Sequence, residues 1–441
     1  MENILNDLVR LGGNNFDERI FEGEIPLKKG MSYNSYLLLD DVTVLFDTVE
    51  ADLKDEFLDE LDKALGGRDL TYFVIHHLEP DHTGAAFKII EKYSNVTVLI
   101  SPLGLTLLKQ FFPNLKKDFK YKLIKENDTL DTCHHHLVFV GAQMVHWPEV
   151  MVTYDATSKT LFSADAFGSF TVFDELDSKD YKDHDELIYE ARRYYTNIVG
   201  KYGEQVLALL NKASKLEIER ILPLHGPIHT ELIPEFIKYY LLWASYKEER
   251  DGVLIVSASV YGHTHEAADK IQELLDDRNI ESEIVNLNKV DVSVSLAKTF
   301  MYKNIILLAP TFNMGLFPKM EEYLSFLISH NMTNRNFAIV ENGSWAPQAK
   351  KIMLEHLAKL KNINVMKTSL TIKSSLKESD FATLNTLVDE LLNFKEEEKV
   401  EKKTHHFKCK ICGYVHEADH LDDNFRCPLC GKGKEFFEQI D

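Results

Sequence analysis

The chain has 441 residues, too many for one ordinary hydrophobic core, so two or three domains are expected. Its formal charge of −20 leaves no basic surplus to neutralise phosphates, which argues against nucleic acid or an anionic membrane as a partner. The N-terminus has no basic stretch leading into an apolar run, and no window of about 18 apolar residues occurs, so neither signal peptide nor membrane span is expected, while five cysteines, one alone and four near the end, read as cytoplasmic thiols with one metal site.

Residues 1–250 mix short apolar runs with polar turns: MSYNSYLLL, TVLFDTV, TYFVIHH, VTVLIS, HLVFVGA, MVTYD, TLFSADA and RILPLHG. These read as strands, with helices such as DLKDEFLDELDKAL between them. Many strands without strict βα alternation predict an α/β sandwich of layered sheets. Histidines and carboxylates collect where these strands end. The stretch HHLEPDHTG follows TYFVI and supplies His77, Glu79, Asp81 and His82. His146 follows GAQMV, Asp165 lies in LFSADA, and His225 lies in LPLHG. Four imidazoles and three carboxylates suffice for two octahedral-type ions that share one carboxylate. His76 reads as a neighbour facing the other way, because successive strand residues point to opposite faces. The same alternation makes His134, His135 and His136 structural. His229 reads as a bystander, and Cys133 as a small buried hydrophobe.

From Val253 the pattern changes. VLIVSAS, ESEIVNL, NIILLAP, NFAIVEN and VMKTSLTI alternate with amphipathic helical stretches, which predicts a doubly wound parallel sheet over residues 251–395. Its first strand runs into Ser259, Val260, Tyr261, Gly262, His263 and Thr264 and then a helix, a loop whose backbone N–H groups suit a phosphate. No GxGxxG is present, so a dinucleotide is not indicated. The loop resembles the phosphate loop of flavodoxins. Pro310, Thr311, Phe312 and Asn313 follow the third strand, and Asn342, Gly343, Ser344 and Trp345 the fourth. Ligands of open α/β sheets bind at such carboxyl ends, so FMN is expected, with Trp345 placed to stack on the flavin ring.

Residues 396–404 form a charged linker, and residues 405–441 are too few to bury a core without a staple. Cys409, Cys412, Cys427 and Cys430 supply it as two CxxC pairs, a tetrathiolate pattern that zinc and iron can both fill. CKICGY and CPLCG, with Phe407, Tyr414, Phe425 and Phe436 nearby, resemble the knuckles of the short-spaced rubredoxin that ends rubrerythrins. That resemblance implies one iron.

The opening loop resembles the metallo-β-lactamase motif HxHxDH, with Glu79 in the second position. A carboxylate there makes the site harder and more anionic, which suits iron over zinc. The variant HxExDH on this fold marks the flavodiiron proteins, or A-type flavoproteins. HLEPDHTG, HWPE, SADAFG, LHGP and SVYGHT match that family in order, while ENGSWAP departs from its usual third flavin loop. The resemblance implies three parts: a metallo-β-lactamase-like αββα sandwich (1–250), a flavodoxin-like domain (251–395) and a rubredoxin-like domain (405–441). It also implies that His77, Glu79 and His146 bind one iron, that Asp81, His82 and His225 bind a second, and that Asp165 bridges them. The expected activity is reduction of dioxygen to water, of nitric oxide to nitrous oxide, or of both. Electrons would pass from an external NAD(P)H-dependent rubredoxin reductase through the rubredoxin iron and FMN, within a head-to-tail homodimer or a dimer of dimers. The competing expectation is a zinc hydrolase of the metallo-β-lactamase superfamily carrying a redox module.

Overall fold

Strand periodicity decides how the first 250 residues fold. Along Met31–Leu39 and Thr43–Phe46, alternate side chains point to opposite sheet faces. Leu38, Val44 and Phe46 bury against Leu137, Phe139 and Phe162, whereas Leu37 and Leu45 bury on the other side with Phe57 and Leu61 of helix Lys54–Leu65. One sheet therefore has two apolar faces and is covered on both. In the computed structural model, which describes residues 1–115, 118–395, 405–411, 415–428 and 431–440, two sheets meet face to face in this region.

The first sheet has seven strands, antiparallel at its start and parallel from Thr43–Phe46 through Tyr72–Ile75 and Thr97–Ile100 to Tyr121–Leu123. The second has five: Thr129–Asp131, His136–Gly141, Met151–Asp155, Thr160–Phe162 and Arg220–Leu222. Phe46 and Phe162 stack between the sheets with centroids 3.9 Å apart. On the outer side of the second sheet, Val152, Leu161 and Ile221 pack with Leu187, Val206, Phe236 and Tyr240 from three helices. Each such apolar side chain contributes about 1.5–3 kcal/mol when fully buried. This is the expected αββα sandwich.

The parallel sheet begins at Arg250 and runs in the order Ser282–Asn286, Arg250–Ser257, Tyr302–Phe312, Asn336–Asn342, Asn364–Ile372. Numbered along the chain this is 2-1-3-4-5, the flavodoxin-like winding. Ala268, Ile271, Leu387 and Leu391 cover one face. Leu296, Phe300, Leu324 and Met353 cover the other and continue into the core of the sandwich. Residues 1–392 thus form one compact unit, and a boundary at 250/251 within it remains a proposal resting on which sheet each strand joins.

Arg335 ties the two sheet systems together. Its side chain is fully buried, and its guanidinium donates to the carbonyls of Thr299 at 3.1 Å, Phe300 at 2.9 Å and Tyr246 at 2.6 Å. Burial pushes its pKa down to about 10, so it stays charged at neutral pH. Arg335→Leu would strand these carbonyls without a donor and is expected to cost about 3 kcal/mol of stability. Denaturant unfolding checks this, and a midpoint equal to the wild type would refute it.

Residues 393–441 form a second unit. Its sheet runs Val415–Ala418, His405–Cys409, Phe437–Gln439, antiparallel throughout. Cys409 and Cys427 are both buried, and Phe425 meets Phe437 edge-on at 5.3 Å. Cys412, Cys430, Tyr414 and the linker 396–404 lie outside the described residues.

Candidate functional site

The seven nominated metal-binding residues come together at one end of the sandwich. Strand Tyr72–Ile75 delivers His77 and Glu79, and the short helix Pro80–Thr83 that follows carries Asp81 and His82. His146, Asp165 and His225 enter from loops beyond Gly141, Phe162 and Leu222. They form two groups, His77 with Glu79, His146 and Asp165, and Asp81 with His82 and His225. In the first, Glu79 Oε2 lies 3.1 Å from Nε2 of both His77 and His146, and Asp165 Oδ2 lies 3.2 Å from the same two nitrogens. In the second, Asp81 Oδ2 is 3.4 Å from His82 Nε2 and 3.2 Å from His225 Nε2. The other oxygen of Asp165, Oδ1, lies 2.9 Å from His82 Nε2 and 3.7 Å from His225 Nε2. One carboxylate therefore turns one oxygen to each group.

These spacings fit ions. Two donors each about 2.1 Å from a metal and at right angles lie about 3 Å apart. The ring tautomers agree, because the His77 Nδ1–H donates to Glu149 Oε1 at 2.9 Å and the His225 Nδ1–H to the Ser32 carbonyl at 2.8 Å. Each leaves an Nε2 lone pair aimed into the cluster, the usual support for a metal-binding imidazole. Asp165 Oδ1 and Oδ2, both Asp81 oxygens and His82 Nε2 are buried without a hydrogen-bond partner. Buried polar atoms left in that state are costly, and a metal pair would satisfy all of them.

Without cations the charges compensate one another. Burial would depress His146, but Asp165 and Glu79 lift it to about 9. Burial likewise opposes His82, which Asp81 and Asp165 raise to about 9. Asp165 is held well below the ordinary carboxylate range against its own burial by His82 and His77. Metal binding would displace such protons.

His76 turns away from the cluster. Its Nδ1 meets Asp47 Oδ2 at 2.6 Å and its Nε2 meets Thr153 Oγ1 at 2.7 Å. His134 bonds Asp40 at 2.6 Å, and His136 bonds Asp131 at 2.6 Å. His135 lies between Asp155 at 2.6 Å and Asp7 at 3.0 Å. None of these joins the seven. Asp40, Asp41 and His134 do form a third group within ligand reach, but Asp40 already accepts from Thr132 and from the His134 backbone. Cys133 corrects an expectation: it is exposed, at φ 97°, because the turn before His136–Gly141 carries it outward.

Sequence reasoning missed Glu149, although HWPE contains it. Besides His77 it accepts from the Leu78 N–H at 2.9 Å and is fully buried. It missed Glu22 as well, for which no local pattern gives a signal. Glu22 lines the cavity outside Glu79 and His146 together with Trp147, Tyr202 and His330. Desolvation and the charge of Glu79 raise its pKa to about 8.

A second cavity, of about 450 Å³, opens at the carboxyl edge of the parallel sheet. All the nominated residues of the three loops line it except Gly262, and Met314 and Ser374 join them. Gly262 instead starts helix His263–Asp276 at φ 103°, a conformation that suits glycine. The Gly262 and Thr264 N–H groups donate to Ser259 Oγ at 2.9 and 3.3 Å. Tyr261 is 91% and Trp345 78% exposed on the rim. Aromatic rings left in water around a helix N-terminus fit a flat ligand that carries a phosphate.

The seven-residue cluster on this fold defines the class: a lactamase-like protein with two adjoining groups of metal-ligand-type side chains, here continued by a flavodoxin-like sheet. The ODP family beta lactamase profile matches residues 31–226, and the rubredoxin-like domain of rubrerythrin matches residues 407–438. The anaerobic nitric oxide reductase flavorubredoxin of Vibrio vulnificus is 26% identical, over 98% of this chain and 98% of its own. Among solved structures, the rubredoxin oxygen:oxidoreductase of Desulfovibrio gigas superposes with a TM-score of 0.83 at 26% identity, covering 88% of this chain and 97% of that one. The flavodiiron protein of Giardia intestinalis shares the fold at the same TM-score, with 22% identity over 88% of this chain and 95% of its own. The chain is a homologue of the flavorubredoxins over its whole length, has flavodiiron proteins as structural neighbours, and is an oxidoreductase.

Proposed function

We propose that this chain is a reductase of nitric oxide to nitrous oxide, of dioxygen to water, or of both, with a two-iron site, one FMN and one rubredoxin-type iron. The observation that carries the reading is Asp165, whose two oxygens face two separate groups of ligand atoms. His77, Glu79 and His146 would hold one iron, and Asp81, His82 and His225 the other. The three loops around Ser259, Pro310 and Asn342 would hold FMN, and Cys409, Cys412, Cys427 and Cys430 the third iron. When bound, these groups supply the electrons and the open metal positions that the reaction needs.

The rest is the work of side chains. Glu149 and the Ser32 carbonyl fix imidazole orientation. Trp147 meets His77 edge-on at 5.1 Å and shields it from water. The protonated carboxyl of Glu22 stands beside Glu79, at the cavity mouth. Whole-chain similarity to a protein named for nitric oxide reduction favours nitric oxide, whereas the D. gigas relative is named for oxygen. Electrons would enter at the rubredoxin-like end from an NAD(P)H-dependent reductase, in the cytoplasm. A head-to-tail homodimer would bring one copy's exposed Trp345 and Tyr261 toward the other copy's metal cavity. Among the described residues, no helix is long and apolar enough to cross a membrane.

Anaerobic purification followed by metal and flavin analysis tests the scheme. Three iron and one FMN per chain are expected. Zinc in the seven-residue cluster, with ester hydrolysis, would establish the hydrolase reading instead. Zinc at the cysteines alone would remove only the built-in electron entry.

A further inference from the structure

The loop that carries Asp165 is held in an unfavourable backbone shape. Ala164, just before the aspartate, has φ 50°, and Phe167, two residues after it, has φ 70°. Neither is a glycine, and left-handed conformations cost L-residues energy unless their surroundings impose them. The surroundings here are specific. The Phe167 N–H donates to Tyr240 Oη at 2.5 Å, and the Phe167 carbonyl accepts from the His229 Nε2–H at 2.9 Å. Both backbone polar groups of one strained residue are therefore gripped from outside the loop. The Phe167 ring also stacks on Tyr240, with centroids 4.3 Å apart.

The grip is anchored in rigid elements. Tyr240 stands on helix Ile233–Ala244 and is 1% exposed. His229 is fully buried, its ring lies 3.9 Å from that of Phe236, and its backbone pairs with Ile221 at 2.9 Å in both directions. Its Nδ1 is buried without a partner, so Nε2 is the one nitrogen of this imidazole that makes a contact. A pKa lowered to about 4 by burial keeps the ring neutral, and hence Nε2–H a fixed donor. The loop closes onto the His225 loop through the Leu224 N–H, which donates to the Ala164 carbonyl at 2.9 Å.

Asp165 has little freedom of its own. Its oxygens face only the imidazoles of the ligand set, so no donor outside that set orients the carboxylate. Its pose, with Oδ2 toward His77 and His146 and Oδ1 toward His82, is set by the backbone beneath it. We infer that His229 and Tyr240 are positioning residues: by holding Phe167 in its left-handed conformation they fix Asp165 where its two oxygens span both ligand groups. The inference rests on the two-ion reading of the cluster and adds to it two residues that touch neither ion.

The test uses the full chain, stripped of metal and titrated anaerobically with cobalt(II). Cobalt bound by cysteine is told apart by its thiolate charge-transfer absorption. The wild type should take up two further equivalents that are magnetically coupled. Tyr240→Phe and His229→Leu should bind the first of these normally and the second at least tenfold more weakly, with the coupling lost and the FMN content unchanged. His229→Gln keeps an N–H donor and should retain the coupled pair. Ala164→Gly relieves strain on the other side of Asp165, so adding it to Tyr240→Phe should recover part of the lost affinity even though glycine adds no packing. A merely structural role predicts no such recovery. Wild-type affinity and coupling in both Tyr240→Phe and His229→Leu would overturn the inference, as would a double variant no better than Tyr240→Phe. A wild-type chain that binds no coupled pair would sink the two-ion reading itself.

Discussion

Asp165→Asn is expected to reduce the metal held by the seven-residue cluster from two ions to one or none, and to lower gas-reductase turnover by roughly a thousandfold or more. The size of the effect follows from its place. Among the described residues, Asp165 is the one whose oxygens approach imidazoles of both groups, His77 and His146 on one side and His82 on the other. An amide offers one weak oxygen and an N–H₂ group that repels a cation, so one group loses its share of the carboxylate and keeps a single anionic ligand, Glu79 or Asp81. The neighbouring imidazoles would also lose the charge that lifts them, since the carboxylate is among the groups that hold His77, His82 and His146 above the ordinary histidine range. FMN should stay bound, because the cavity proposed for it draws on residues from Ser259 to Ser374 and on none of the seven. Metal and flavin analysis of the same preparation reads both expectations. Two ions retained per cluster would refute the bridging role.

Much of this was legible because chemistry concentrates where strands end. The spacing His77, Glu79, Asp81, His82 on one loop after an apolar strand is short-range information, and the strand's carboxyl end fixes where the loop must lie. His146, Asp165 and His225 were found the same way, each beyond a strand. The three loops proposed to hold flavin follow the same rule at the ends of parallel strands. What could not be read is whatever depends on a partner distant in sequence. Glu149 matters because the fold brings it to His77, and Arg335 because five backbone carbonyls from three segments converge on it. Cys133 failed for the opposite reason. Cysteine is usually buried, but a turn overrides residue preference. His229 was set aside as a ligand, and nothing in LPLHGPIHT reveals that its ring reaches the Phe167 carbonyl.

Glu79→His asks why this fold should run redox chemistry rather than hydrolysis. Glu79 Oε2 sits 3.1 Å from both His77 Nε2 and His146 Nε2. Burial opposes its ionisation, but the two histidines hold its carboxyl well below the usual range, so it enters the cluster as an anion. A histidine there would replace a charged oxygen with a neutral nitrogen and give three imidazoles to one ion. Such a set is softer and suits zinc, whereas the carboxylate-rich set suits iron. Glu22, whose proton is held on first by burial, would also lose the negative neighbour that adds to that effect. The expected result is a chain that folds, keeps its FMN, takes up zinc in preference to iron at the first group, and loses about a hundredfold or more of its nitric oxide and oxygen turnover. Competitive loading with equal iron(II) and zinc(II), followed by metal analysis, measures the preference directly. If the variant still selected iron and turned over either gas at the wild-type rate, then the glutamate would not be what separates this site from its hydrolytic counterparts.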